Sequence, residues 1–190
     1  MISKQRKMNH PHLFFMVFLV LISQGCSSKY TQPSLKYPRS EGEVNQHVRE
    51  IKAEKEQIFH ILTDEKSFGS ICPKGTIVAH ESLPPYQIGS KVQTKIDHIF
   101  NLTWHTQVIE IVPNKKIRLQ FLDGFFAGGT EIWELESKGK QVRTTHTIIF
   151  KFNGFIKKWI WRLKVRRKHD IMVEAFLDNL KLLAETGSTN

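Results

Sequence analysis

The stretch that decides the fold is Phe155–Ala184, FIKKWIWRLKVRRKHDIMVEAFLDNLKLLA. Its residues His169, Met172, Val173, Phe176, Leu180 and Leu183 recur at the spacing of a single helical stripe. Such a stripe predicts one long helix that must bury against another layer, because helices in proteins are stabilised mainly by packing an amphipathic face. The region immediately before it is the only partner large enough.

From Gly75 onward that region reads as successive strands separated by turn residues, the pattern of an antiparallel meander. Strands are expected at 76–83, 91–99, 102–111, 117–122, 130–135 and 143–152, six in all. The breaks fall at Pro84-Pro85 with Gly89, at Phe100-Asn101, at Pro113-Asn114, at Asp123-Gly124 with Gly128-Gly129, and at 137–140. Further toward the N-terminus, 47–52 suits a first strand. Residues 54–62 carry Ile58, Ile61 and Leu62 at helical spacing and end near Asp64, and the stretch with Phe68, Ile71 and Pro73 reads as irregular. Strand, helix, meander and long helix is the order of an α+β domain with helices on one face of an antiparallel sheet.

The chain has 190 residues, enough for one domain, and its 40% hydrophobic content with 13 Phe and 4 Trp excludes a chain disordered by composition. Its first residues have the order of an export signal: Lys4, Arg6 and Lys7, an apolar run over 13–22, then Ser23 and Gly25. Ten helical residues span only ~15 Å, about half a bilayer core, so cleavage is expected rather than a permanent span. Gly25-Cys26 followed by Ser27 and Ser28 resembles the lipobox of bacterial lipoproteins, which implies acylation of Cys26. Ser23 stands where that pattern usually has Leu, and Ser23 with Gly25 also fits ordinary signal peptidase, so a soluble secreted form stays open. The expected organisation is a signal over 1–25, a flexible tether over 26–44 and a domain over 45–187. Losing the signal removes three cations and no acid, lowering the net charge from +10 to +7. With Cys26 acylated, Cys72 is left without a disulfide partner; without acylation a Cys26–Cys72 bridge is conceivable.

The order of elements resembles the helix-grip fold of the START-related, or SRPBCC, superfamily, which includes polyketide cyclase-like proteins. The resemblance spans roughly 45–185. It is carried by Ile58-Phe59-His60-Ile61-Leu62-Thr63-Asp64, by Gly89, by Glu110-Ile111-Val112-Pro113, by Gly129-Thr130, and by Leu177-Asp178-Asn179-Leu180-Lys181. It implies a curved sheet wrapped around the C-terminal helix, with an apolar cavity between them for a lipid, quinone or polyketide-like molecule. Only some members are enzymes, so the resemblance implies a pocket and not a reaction.

Aromatic residues on or beside the meander are the candidate cavity walls: Trp104, Phe121, Phe125, Trp133 and Phe150, with Phe126 and Phe152, joined from the helix by Met172 and Phe176. The same residues also suit a filled core. Polar candidates among them are His105, Gln107, Glu134, Thr144 and His146, of which either histidine could orient a ligand by one hydrogen bond. The sequence holds no G-x-S-x-G elbow, no H-E-x-x-H and no phosphate-cradling glycine loop. No cofactor and no metal is expected, since the histidines are scattered one per element and ligands would have to be brought together by folding.

Residues 151–168 hold eight cations and no acid. Lys157, Lys158, Arg162, Arg166 and Arg167 beside Trp159, Trp161 and the apolar Ile156, Ile160 and Leu163 resemble an interfacial helix on an anionic membrane. A solvated helix face is the alternative, and export argues against nucleic acid. Three functions follow as expectations: an exported, lipid-anchored binder of a hydrophobic small molecule; a cyclase or dehydratase using the same cavity with His105, His146 or Glu134 moving protons; and an envelope protein docking through the basic helix.

Overall fold

The computed structural model describes residues 42–97 and 102–187. The expected signal, Cys26 and the tether up to residue 41 lie outside the described residues. The elements run β1 (Glu43–Ile51), α1 (Lys55–Thr63), α2 (Glu65–Ile71), β2 (Thr76–His80), β3 (Lys91–Ile96), β4 (Leu102–Val112), β5 (Lys116–Phe121), β6 (Thr130–Lys138) and β7 (Gln141–Phe150). They end with α3 (Phe155–Ile160), a π-helical turn (Trp161–Val165) and α4 (Arg166–Thr186).

All seven strands form one antiparallel sheet in the order β1-β7-β6-β5-β4-β3-β2. The sheet curls as a half-barrel, and the unbroken C-terminal helix of 32 residues belongs to the same helix-grip arrangement. This is the α+β fold that the sequence predicts, and the first strand expected near 47–52 joins the six meander strands in the same sheet. Strand β1 extends the sheet beside β7, with His47 opposite His146 and Ile51 opposite Val142. It begins at Glu43, inside the last residues assigned to the tether. Residues paired across an antiparallel ladder share a face, so Asn45, His47 and Arg49 point the same way as the core residues of β7. Polar inward residues hide the period-2 signal in this strand.

The stretch after Asp64 is a second departure, since 65–71 is helical and not irregular. Asp64 caps it by accepting from the Ser67 backbone N at 2.9 Å and the Ser67 hydroxyl at 2.7 Å. These bonds hold the Asp64 carboxyl below its usual value. Gly69 and Ser70 are weak helix formers, so the cap and the burial of Ile71 carry a helix that propensity does not announce.

The helix α4 buries His169, Val173, Phe176, Leu177, Leu180 and Ala184. Leu177 and Leu180 are fully buried in a core that also takes Ile58, Ile61 and Leu62 of α1 and Trp133 and Leu135 of β6. Each such leucine contributes on the order of 1.5–3 kcal/mol. A second cluster is aromatic: Phe121, Phe126, Phe150 and Trp161, with Ile148. Gly129 permits it, because a Cβ there would stand 2.8 Å from Phe150 Cβ and 2.8 Å from the Ile149 carbonyl oxygen. Among the described residues no helix is long and apolar enough to cross a membrane.

The π-helical turn separates two helical phases. Trp161, expected at the surface beside Trp159, is 2% exposed and sits within the aromatic cluster, whereas Trp159 is 53% exposed. Residues two apart on a helix stand about 200° apart round its axis, so the two indoles point to opposite sides.

Candidate functional site

Between the two clusters lies a cavity of about 60 Å³, bounded by Trp104, Phe121 and Phe126 on one side and by Trp133, Val173 and Phe176 on the other. Met172, Ile148, Glu131, His146 and His169 complete the wall. A second hollow of about 40 Å³ shares Phe68, Val78, Thr94, Glu131 and Trp133 with it and continues toward His80 and Tyr86. One water needs roughly 10–15 Å³ on such a scale, and a cavity of ~150 Å³ takes benzene. Each hollow therefore holds a few waters or a small fragment, and a lipid chain enters only if lining side chains move.

The polar wall is built by strand alternation. On β6, Glu131, Trp133 and Leu135 face inward together, and on β7 Thr144, His146 and Ile148 do so. The Glu131 side chain is 19% exposed and accepts from Trp133 Nε1 at 3.0 Å; His146 Nε2 lies 3.1 Å from the same oxygen. His146 is buried, its ring 4.5 Å from that of Trp133, and its Nδ1 has no hydrogen-bond partner. Tyr86, on the loop between β2 and β3, packs against His80 with ring centroids 4.9 Å apart and the rings tilted by 33°. Burial pushes its phenol well above the usual value, and the Glu131 carboxylate adds to the shift.

Of the expected cavity residues, Trp104, Phe121, Trp133, His146, Met172 and Phe176 come together on this wall. His105, Phe125 and Phe150 do not. His105 is on the outer face of β4, where its Nδ1 lies 2.6 Å from Asp123 Oδ2 and its Nε2 3.1 Å from Gln93. Phe125 and Phe150 belong to the aromatic cluster around Trp161, with ring centroids 6.3 and 4.9 Å from the indole. Gln107 donates to the Gly89 carbonyl at 3.2 Å, and Glu134 pairs across the ladder with Lys116 and Thr145, on the face opposite Trp133. The inward carboxylate is Glu131, and the same alternation that turns Trp133 inward identifies it from sequence. Phe126, named with these aromatics from sequence, also lines the cavity, whereas His169 is legible from sequence only as part of the helical stripe. Cys72 is half-buried, and burial pushes its thiol up to about 12, which leaves it unreactive at neutral pH.

A polar ladder joins β1 to the C-terminal helix along the cavity's edge. Glu43 meets Arg162 at 3.1 Å and Lys158 at 3.6 Å. Asn45 Nδ2 donates to Asp170 Oδ1 at 2.7 Å, and Arg49 reaches Glu174 at 2.5 Å and Asp178 at 2.9 Å. His47 Nδ1 donates to Glu174 Oε1 at 2.5 Å; this bond, with the Arg49 charge behind it, holds the Glu174 carboxyl below its usual value. Between ladder and cavity stands His169, 8% exposed, its ring 5.6 Å from Trp161 and 5.5 Å from Phe126.

Burial, with His146 and His47 opposing a further positive charge, lowers the His169 pKa to about 3. An unfolded histidine titrates near 6.5, so between those values the unfolded chain binds the extra proton. Stability is therefore expected to fall as pH drops below about 6.5 and to keep falling toward about 3, by at most ~1.4 kcal/mol per pH unit from this group. Urea midpoints measured from pH 7 to 4 check it, and His169→Phe should flatten the decline.

No family model matches the chain, and no curated protein matches it in sequence. Solved structures do. The Aha1 dimer from Colwellia psychrerythraea is similar at a TM-score of 0.57 and 17% identity, covering 77% of this chain and 98% of that one. Protein TTHA0849 from Thermus thermophilus gives 0.63 at 15% identity, covering 77% and 100%. Protein CV1439 from Chromobacterium violaceum gives 0.56 at 14% identity, covering 75% and 96%. At these identities the likeness shows the fold alone, the helix-grip arrangement described above.

Proposed function

We propose that this domain binds a lipophilic small molecule between sheet and C-terminal helix, within an exported protein held at a membrane. The observation that carries the reading is the hollow left at the seam of two well-packed cores. Aromatic and aliphatic side chains close it, and Glu131 and His146 supply a single polar wall, the composition expected of a site for an apolar ligand with one polar end. The sequence of the first 26 residues supports export and lipid anchoring at Cys26. Delipidated full-length protein should take up a fluorescent fatty-acid probe, and Met172→Trp, which fills the hollow, should abolish uptake while leaving the fold intact. Equal uptake by both proteins, or none by the wild type, would count against the cavity.

The outer face of α3 supports the membrane part of the reading. Phe155, Ile156, Trp159 and Leu163 are 80, 72, 53 and 60% exposed, flanked by exposed Lys157, Lys164, Arg166 and Arg167. Apolar rings beside cations suit the headgroup region of an anionic bilayer, where each cation is worth roughly 1 kcal/mol. Lys164→Gln is accordingly expected to weaken binding to phosphatidylglycerol vesicles about fivefold at low salt, as read by co-sedimentation. The Glu131–His146 pair favours a second reading, proton transfer on a bound polyketide-like substrate. That version ends if His146→Asn preserves turnover.

A further inference from the structure

His47, His169 and Asp170 each offer a ligand atom, and the three atoms lie within 4.8 Å of one another where β1 meets the first turn of α4. The hydrogen bonds around His47 leave an electrostatic gap there. Its Nδ1 is committed to the Glu174 carboxylate, which only accepts. In the neutral ring Nε2 is then a lone pair, yet it faces two more acceptors, Asn45 Oδ1 at 2.9 Å and Asp170 Oδ1 at 3.3 Å. Asn45 cannot be turned round to relieve this, because its amide nitrogen already donates to Asp170. Three electron pairs therefore converge on a point that calls for a cation. Nearby, His169 is more than nine-tenths buried and its Nδ1 has no hydrogen-bond partner.

We infer that His47 Nε2, Asp170 Oδ1 and an imidazole nitrogen of His169 form a binding site for a divalent transition-metal ion of the zinc type. Two imidazoles and a carboxylate are a donor set such ions accept, with Asn45 Oδ1 or a solvent molecule as fourth ligand. An ion held at 2.0–2.1 Å places tetrahedral ligand atoms about 3.3 Å apart. The His47–Asp170 edge already has that length, and the His169 ring needs to approach by no more than about 1.5 Å. Glu174 takes the remaining His47 N–H, the outer contact that fixes the tautomer and orientation of a ligating histidine. Burial keeps His169 unprotonated at neutral pH, the form a metal requires. Arg49, paired to Glu174, Arg166, whose Nε stands 3.9 Å from Asp170 Oδ2, and the ring of His146 are the other titratable groups facing this point.

The test is calorimetric titration of EDTA-stripped full-length protein with Zn²⁺, with Co²⁺ as the spectroscopic probe. One ion per chain, a raised Tm and visible d–d absorption are expected. His47→Gln and Asp170→Asn should each remove binding, and Glu174→Gln should weaken it roughly tenfold or more through the orientation of His47. His105→Gln, on the outer face, should change nothing. Absence of saturable binding, or binding that survives intact in both His47→Gln and Asp170→Asn, overturns the assignment.

Discussion

Trp161→Ala is expected to destabilise the domain by about 3–5 kcal/mol, whereas Trp159→Ala, two residues away, should cost under about 1 kcal/mol. Trp161 packs edge-on against Phe150 at 4.9 Å and Phe126 at 5.4 Å and touches Phe152 and His169 besides. Removing the indole leaves a void that rings cannot collapse to fill, so both the lost transfer energy and the cavity contribute. Trp159 faces solvent and has no such neighbourhood. Urea denaturation with a constant m-value measures the difference. Comparable small effects at both positions would mean that the aromatic cluster does not hold the helix.

Glu131→Leu is expected to cost about 3–4 kcal/mol, and Glu131→Gln much less. The carboxylate accepts from the buried Trp133 indole and stands against His146 Nε2, which leaves no other partner for either group. Leucine fills the volume but strands two buried polar groups, each worth roughly 1–3 kcal/mol when unpaired. Glutamine keeps an acceptor for Trp133. If the leucine variant were as stable as wild type, the polar wall would be dispensable to the fold and Glu131 would be retained for ligand alone. Probe uptake by the glutamine variant then separates the two roles.

Much of this architecture can be read directly along the chain, because the helical stripe of α4 and the period-2 strands from β2 to β7 are each driven by burial of regular apolar patterns. The parts that escape are those where burial and polarity part company. Strand β1, expected over 47–52, starts earlier, at Glu43, and its polar residues Asn45, His47 and Arg49, turned inward against acids of α4, hide that first part from an apolar pattern. Helix α2 depends on a cap more than on propensity. For the site, choosing Glu134 over Glu131 follows from taking a neighbour of Trp133 in sequence as its neighbour in space; in a strand the residue two positions away is the one that shares its face. His105 fails for a related reason, since it sits between Trp104 and Thr106, both inward. The size of the cavity and the meeting of His47 with His169 depend on the distance between elements, which no single strand or helix encodes.

The single wide turn at 161–165 divides one continuous rod into two segments with independent registers. Upstream, bulky apolar side chains are free to serve water or lipid; downstream, the stripe is committed to the sheet. Sequence drift in α3 can therefore retune what the outer surface adheres to without disturbing the interior. The chain has, in effect, a serviceable handle joined to a fixed shaft.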